Sequence, residues 1–216
     1  MKAKLLIVLF IIIALVVGDL YWFSRSSETP SPESPEETLA PGWNRAELFD
    51  MGILFAYPSR AELYTKERRE EVRGLTYIPV CDPDTMSGCV VYGKDVFPGS
   101  TFSGSAVSFA VLPINETECY SVDNAPQNSG EKIFDTVAFR RYEVGDAAAG
   151  HYLKGNIYRG WKDGRCLEMK STMTMTNIGV YEPGTIKEFT EADQAVLFAE
   201  MESVLDTIRF QWVMRR

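Results

Sequence analysis

Four cysteines have the most distinctive chemistry in this sequence. They are Cys81, Cys89, Cys119 and Cys166. An even number of cysteines is typical of disulfide bonds in an exported domain. We predict two pairs: Cys81–Cys89, which closes a short loop of turn-forming residues, and Cys119–Cys166, which joins two segments distant in sequence. A zinc site is the alternative, but the chain has no C-x2-C pair.

Hydrolase motifs are missing from the sequence. No G-x-S-x-G elbow occurs, and Ser129 and Lys132 match S-x-x-K without the K-T-G or S-D-N motifs that accompany it. The only histidine is His151. It alternates onto the same strand face as Leu153 and Ile157, so we interpret it as a packed or rim residue rather than a general base. The sequence therefore predicts no catalytic residue and no enzyme.

Metal and cofactor motifs give no stronger signal. Asp82 and Asp84 form D-x-D in the first cysteine loop, but Met86 and Ser87 stand where an EF-hand loop needs a ligand and a glycine. Gly99–Gly104 lacks the lysine of a P-loop and precedes a strand rather than a helix. We therefore expect no metal site and no cofactor.

Net charge argues against nucleic acid as a partner. The 216 residues carry a formal charge of −8, and residues 42–216 hold 19 basic and 25 acidic residues. Phosphate binding needs clustered Lys and Arg, which this composition does not supply.

Aromatic residues in one loop provide the best binding hypothesis. Residues 92–103 combine glycines and hydroxyl groups with aromatic side chains that we expect to be exposed, and such loops serve carbohydrate or protein recognition. The alternative is that these aromatics cover the sheet edge or fill a minor core. With two further residues outside the loop, the candidate binding residues are Tyr92, Phe97, Thr101, Phe102, His151 and Arg159.

The first 23 residues predict a transmembrane signal anchor. Lys2 and Lys4 precede Leu5–Phe23, a 19-residue apolar run interrupted by Asp19. At about 1.5 Å per residue it nearly spans a ~30 Å hydrocarbon core. The lysines favour a cytoplasmic N-terminus and an extracytoplasmic domain in a single-pass cell-membrane protein. The alternative is a signal peptide cleaved near Gly18, which would release a secreted protein.

A linker separates this segment from the domain. Residues 24–41 are rich in proline, serine and glutamate, a composition that is disordered and extended. The remaining residues, 42–216, are long enough to bury a core of their own.

Periodicity within the domain predicts strands first. We predict strands at Gly52–Tyr57, at Val72–Val80 and at Ser105–Leu112, the last with apolar residues on both faces as in a covered central strand. Ala61–Glu71 is charged and predicted to be helical.

A hairpin and a terminal helix complete the prediction. Gly150–Trp161 and Arg165–Thr176 flank Asp163-Gly164, a type I′ turn signal. The first of these strands groups Tyr152, Lys154, Asn156 and Tyr158 on one face. Thr190 is the predicted N-cap of a helix over Glu191–Leu205. The buried apolar stripe of this helix continues past its end to Ile208. Thr207–Val213 is predicted to be the last strand. These elements predict an α+β fold, a central, mainly antiparallel sheet flanked by helices.

Several stretches resemble a known group of proteins. They are "CDPDTMSGCVVYG", "FPGSTFSGSAVSFAV", "YRGWKDGRCLEM", "NIGVYEPGTIKEF" and "VLDTIRF". Over residues 72–210 they resemble uncharacterised, membrane-anchored exported proteins of bacteria. The stretch "MGILFAYPS" and the terminal helix and strand also resemble the PsbP-like superfamily. That resemblance implies an α/β/α sandwich serving as a binding or accessory module, and it implies no catalytic residue.

Together these features predict a membrane-tethered extracytoplasmic domain that binds an unknown ligand and is not an enzyme. The expected partners are the membrane, through the N-terminal helix, and an envelope protein or glycan, but not nucleic acid. The alternative function is a cell-envelope hydrolase with an unrecognised active site.

Overall fold

A seven-stranded antiparallel sheet organises the domain. The computed structural model describes residues 39–74, 81–122 and 130–211. The large sheet has the order β3-β4-β5-β9-β8-β7-β6. Its strands are β3 (Glu62–Thr65), β4 (Met86–Tyr92), β5 (Phe102–Leu112), β6 (Gly130–Phe134), β7 (Val137–Ala148), β8 (His151–Lys162) and β9 (Arg165–Thr176).

A small sheet and three α-helices cover the large one. The small sheet has the order β1-β2-β10 and is also antiparallel. Its strands are β1 (Trp43–Leu48), β2 (Ile53–Pro58) and β10 (Arg209–Phe210). The helices are α1 (Arg69–Gly74), α2 (Glu116–Cys119) and α3 (Glu191–Asp206), with short 3-10 turns at Lys66–Arg68, Lys94–Val96 and Ile178–Val180. The predicted sheet-dominated α+β fold is confirmed.

The central strands β5 and β9 are buried on both faces of the sheet. They pair antiparallel from Phe102↔Met175 to Leu112↔Cys166. We call the side that packs against α3 and the small sheet the helix face; on it Phe109 and Met169 are at most 1% exposed. The opposite side, here the disulfide face, carries Cys89 and Cys166. The two-sided burial predicted for Ser105–Leu112 is therefore confirmed.

Helix α3 begins with a reciprocal cap and buries one stripe. Thr190 Oγ1 accepts a hydrogen bond from Asp193 N, and Asp193 Oδ2 accepts one from Thr190 N. The predicted buried stripe is confirmed, since all of its members are fully buried: Leu197, Met201, Val204, Leu205 and Ile208.

The hairpin of β8 and β9 also follows the sequence signal. Asp163 and Gly164 have φ values of 50° and 76°, as both central residues of a type I′ turn require. A second glycine, Gly88, brings the two sheets together. A Cβ atom there would lie 2.7 Å from Leu48 Cδ2, so a larger residue at this position would displace the buried Leu48 side chain of β1.

Two element predictions are wrong in part. The segment predicted as a helix over Ala61–Glu71 begins with β3, because Leu63 pairs with Val90 at the edge of the sheet. The helix starts only at Arg69 and continues through Val72, where a strand was predicted. Residues 75–80 of that predicted strand lie outside the described residues.

The terminal strand is shorter than predicted. It is limited to Arg209–Phe210, which pair with Leu54 and Ile53 of β2. Residues 212 and 213 lie outside the described part of the chain, as do residues 5–23, the predicted membrane segment. Among the residues that the structure describes, no helix has the length and apolarity needed to span a membrane.

Both predicted disulfides are confirmed. Cys81 and Cys89 are bonded with a Cα–Cα distance of 6.2 Å, and Cys119 and Cys166 with one of 5.5 Å. The first fastens the chain after α1 to β4. The second fastens α2 to the central strand β9, so both hold covering segments on the disulfide face.

The two disulfides should differ in their contribution to stability. Their sequence separations are 8 and 47 residues. In the chain-entropy treatment, loss of the longer loop costs about 4 kcal/mol and loss of the shorter one about 2.5 kcal/mol. We expect urea unfolding of the Cys119→Ala/Cys166→Ala variant to show the larger decrease in the free energy of unfolding. An equal or larger decrease for Cys81→Ala/Cys89→Ala would contradict this account.

Candidate functional site

An open cleft lies between α3 and the helix face of β7 and β8. Its volume is about 630 Å³, within the range of about 300–1,000 Å³ typical of small-molecule sites. It is lined by Arg141, Glu143, Val144, Lys154, Gly155, Asn156, Met173, Gln194, Ala195, Phe198 and Ala199. The lining therefore combines two cations, one carboxylate and two amides with an apolar wall.

Strand alternation and helix periodicity place these side chains. Arg141 and Glu143 are two residues apart on β7, and Lys154 and Asn156 are two apart on β8, so each pair shares the helix face. On α3, Ala195 and Ala199 are separated by one turn, and their small side chains leave space above the strands. The cleft thus forms where the long strands β7 and β8 pass beneath Ala195 and Ala199 of α3.

A partly buried hydrogen-bond network joins α3 to the sheet beside the cleft. Glu202, one turn after Phe198, accepts hydrogen bonds from Tyr158 Oη (2.7 Å), Ser171 Oγ (2.7 Å) and Lys132 Nζ (2.9 Å). Asn156 Nδ2 donates to Tyr158 Oη over 3.1 Å and so links this network to the cleft wall.

The electrostatics of the network favour the ionised carboxylate. Burial alone would raise the pKa of Glu202, but the hydrogen bonds from Ser171, Tyr158 and Lys132 outweigh it and lower this pKa. Burial, together with the hydrogen bond to Glu202, raises the pKa of Tyr158. Burial opposes the charge of Lys132, yet its bonds to Asp206 and Glu202 raise its pKa. Glu202 and Lys132 are therefore both charged at neutral pH.

The two cations of the cleft are only partly engaged. Arg141 Nη2 donates to Glu143, while Arg141 Nε is buried without a hydrogen-bond partner. Lys154 Nζ donates to Gln194 Oε1 over 3.2 Å, which leaves two of its three donors for other acceptors. Arg141 is partly exposed and Lys154 is exposed, so both can reach a ligand in the cleft.

The reactive side chains near the cleft do not form a catalytic set. Ser171 is fully buried, and its hydroxyl donates to Glu202. His151 is exposed at the start of β8, where its Nδ1 lies 3.4 Å from Thr176 Oγ1. Within the described ranges, no three His, Cys, Asp or Glu residues cluster as metal ligands.

The aromatic loop is part of the core rather than the surface. Tyr92 and Phe102 are fully buried and Thr101 is 4% exposed, so the expectation that this loop exposes its aromatic residues is wrong for these positions. Phe97 is half-buried, with its ring 5.3 Å from that of Phe102 and 4.8 Å from that of Phe189. The aromatic rings pack on one another beneath α3, as the core-filling alternative describes.

His151 and Arg159 do not join the loop residues. Both belong to the disulfide face of β8, with His151 on the rim. Arg159 Nε bonds Glu168 Oε2 at 2.7 Å, and Lys170 Nζ bonds Glu168 Oε1 at 2.8 Å. Arg159 also donates to Ser121 O. The six predicted binding residues therefore do not converge on one site.

Sequence reasoning missed the residues that do converge. Arg141 and Lys132 lie on β7 and β6, two strands that periodicity did not identify. Glu202 lies on the predicted helix but off its apolar stripe. The sequence pattern that could have predicted the site is on β8, where alternation groups Lys154, Asn156 and Tyr158 on one face. This polar face of a partly buried strand lies against the cleft and the Glu202 network.

The sequence was compared with protein-family models and with curated proteins. No protein-family model matches the chain, and no curated protein matches it significantly.

The network around Glu202 should make stability depend on pH. Because folding lowers this pKa from its ordinary value of 4.5, its contribution is complete above that value and is lost as pH falls through the lowered one. We expect Glu202→Gln to lose about 1–3 kcal/mol at pH 7 and to flatten the decrease in stability below pH 4.5.

The control is Glu131→Gln, which removes the same charge from an exposed position on β6. It should keep the acid dependence of the parent chain in urea titrations at several pH values. If both variants have the same pH profile, the Glu202 network does not carry this dependence.

Proposed function

We propose that this chain is a membrane-tethered extracytoplasmic binding or accessory domain, and that its ligand occupies the cleft between α3 and strands β7 and β8. The observation that carries the proposal is the cleft itself. It is open, of small-molecule size, and lined by apolar side chains with a few polar groups, as ligand sites generally are.

The balance of the polar groups supports binding rather than catalysis. Glu202, Tyr158 and Ser171 satisfy one another, so the network fixes α3 on the sheet and holds the cleft open. An envelope hydrolase is the alternative function. It has less support, because a hydrolytic nucleophile needs an exposed hydroxyl beside a base, and Ser171 is buried while His151 lies on the opposite sheet face.

Disulfides support the proposed location. Two bonded pairs persist most readily in an oxidising compartment outside the cytoplasm. Together with the apolar segment at residues 5–23, they favour export with the domain on the outer side. The uncleaved anchor is the proposed form, and release after cleavage near Gly18 is the alternative. The expected partner is an envelope component such as a protein or glycan.

The layered fold agrees with the accessory role that the resemblance implies. Helix α3 lies on one face of the large sheet, and α1 and α2 lie on the other, with Val72 and Cys119 buried against it. We include the PsbP-like α/β/α sandwich in the proposal. Domains of that group mostly bind other molecules, which fits a cleft with no nucleophile and base brought together among the described residues.

Filling the cleft should abolish binding of a neutral apolar probe. Ala195→Phe places a large ring inside the cleft, while Val196→Phe places the same ring on the outer side of α3, where Val196 is 63% exposed. With N-phenyl-1-naphthylamine as the fluorescent probe, we expect Ala195→Phe to weaken binding at least ten-fold. Val196→Phe should bind like the parent chain, with both variants folded by circular dichroism. Equal binding by the two variants would remove the cleft as the site.

The proposed location can be tested by measuring the mass of the intact protein after alkylation, with and without prior reduction. In a bacterial host, the membrane fraction should contain the uncleaved chain, and its four cysteines should be alkylated only after reduction. A mass short by the first 18 residues would replace the anchor by a secreted form. Four cysteines alkylated without reduction would contradict export.

A further inference from the structure

The chemistry of the cleft points to a ligand class. Resting on the binding function proposed above, we propose that the cleft takes an alkyl carboxylate, a linear apolar chain with one carboxylate at its end.

The cations provide the head-group site. Arg141 and Lys154 project from the neighbouring strands β7 and β8 into the same cleft, and among the described residues of its lining Glu143 is the only carboxylate. These described residues therefore have a net positive charge in a chain whose net charge is −8. The Arg141 guanidinium is partly exposed and donates to Glu143 through Nη2, and Lys154 retains two donors beyond its bond to Gln194. A ligand carboxylate provides acceptors for the donors that these two side chains have left.

The amides of the cleft are already engaged within the protein. Gln194 Nε2 donates to Phe189 O, and its Oε1 accepts from Lys154. Asn156 Nδ2 donates to Tyr158. A peptide backbone would need such groups along its length, because every buried amide requires a partner. The engaged amides thus favour a ligand whose polarity is confined to one end.

The remaining wall suits a hydrocarbon chain. Phe198 and Met173 supply its large apolar surfaces, and Ala195 and Ala199 leave a channel along the first turns of α3. Burial of each methylene group contributes to affinity without any directional requirement. The apolar wall and the two cations therefore match the two parts of an alkyl carboxylate.

The proposal can be tested with three ligands that share a twelve-carbon chain and differ in the charge of the head group. Dodecanoate, dodecan-1-ol and dodecyltrimethylammonium should be titrated into the full chain by displacement of N-phenyl-1-naphthylamine. The two charged compounds are kept below their micellar concentrations and the alcohol below its solubility limit. We expect dodecanoate to bind at least ten-fold more tightly than the alcohol and the ammonium compound least well. Arg141→Gln/Lys154→Gln should remove the preference for dodecanoate over the alcohol.

The matched control is Arg140→Gln, which removes a neighbouring charge from the other face of β7 and should keep the preference. Equal affinity for dodecanoate and the alcohol, or an unchanged preference in the double variant, would overturn the carboxylate assignment while leaving the cleft as a binding site. Tighter binding of an apolar tripeptide with a free carboxylate would overturn the alkyl class. Failure of the proposed function looks different: the neutral probe binds Ala195→Phe and Val196→Phe equally.

Discussion

Two-sided burial of β5 and β9 constrains the whole domain. A sheet exposed on one face alternates apolar and polar residues, but these strands are covered on both faces, and the domain must supply two covering layers. On the helix face the cover is the small sheet and α3. On the disulfide face the described cover includes α1 and α2, and the buried apolar cluster that the described residues form there is the smaller of the two. Both disulfides lie on that side, where covalent bonds add to this smaller cluster.

The attachment of α3 combines an apolar stripe with one polar network. The stripe alone would tolerate rotation of the helix, because apolar contacts are not directional. Glu202 removes this freedom, since its three hydrogen bonds come from β6, β8 and β9 and can form together in only one orientation. A half-satisfied network would cost more than an apolar one. With all three bonds made, the network fixes one position for the helix that forms one wall of the cleft.

Much of the fold could be predicted from local signals. Both strands of the β8–β9 hairpin, the cap at Thr190 and the disulfide pairing depend on residues close in sequence or on simple counting. Strand β3 could not be predicted in this way, because its charged neighbours favour a helix and only pairing with β4 makes it a strand. Strand β7 was missed for a similar reason: Arg140 and Arg141 interrupt the apolar alternation, yet pairing with β8 makes the segment a strand. Strand β6, at the edge of the sheet, pairs only with β7.

The site was harder to predict than the fold because it depends on what the layers leave uncovered. The aromatic residues of the loop at residues 92–103 led to the prediction of a binding surface there. Aromatic side chains stabilise a fold most when they are buried, and Tyr92 and Phe102 belong to the core. The cleft arises instead from geometry. A helix about 10–12 Å wide covers only two or three strands spaced about 4.8 Å apart.

Beyond the part of the sheet under α3, strands β7 and β8 continue, and no second helix of the described residues lies above them. Ala195 and Ala199 on the helix then leave space that larger residues would have filled. Polar side chains on those strands, Arg141 and Lys154 among them, would be ordinary surface residues on an open sheet. Beside a helix wall with Phe198 they face a partly apolar space, and this combination of cation and hydrocarbon surface is the basis of the proposed ligand class.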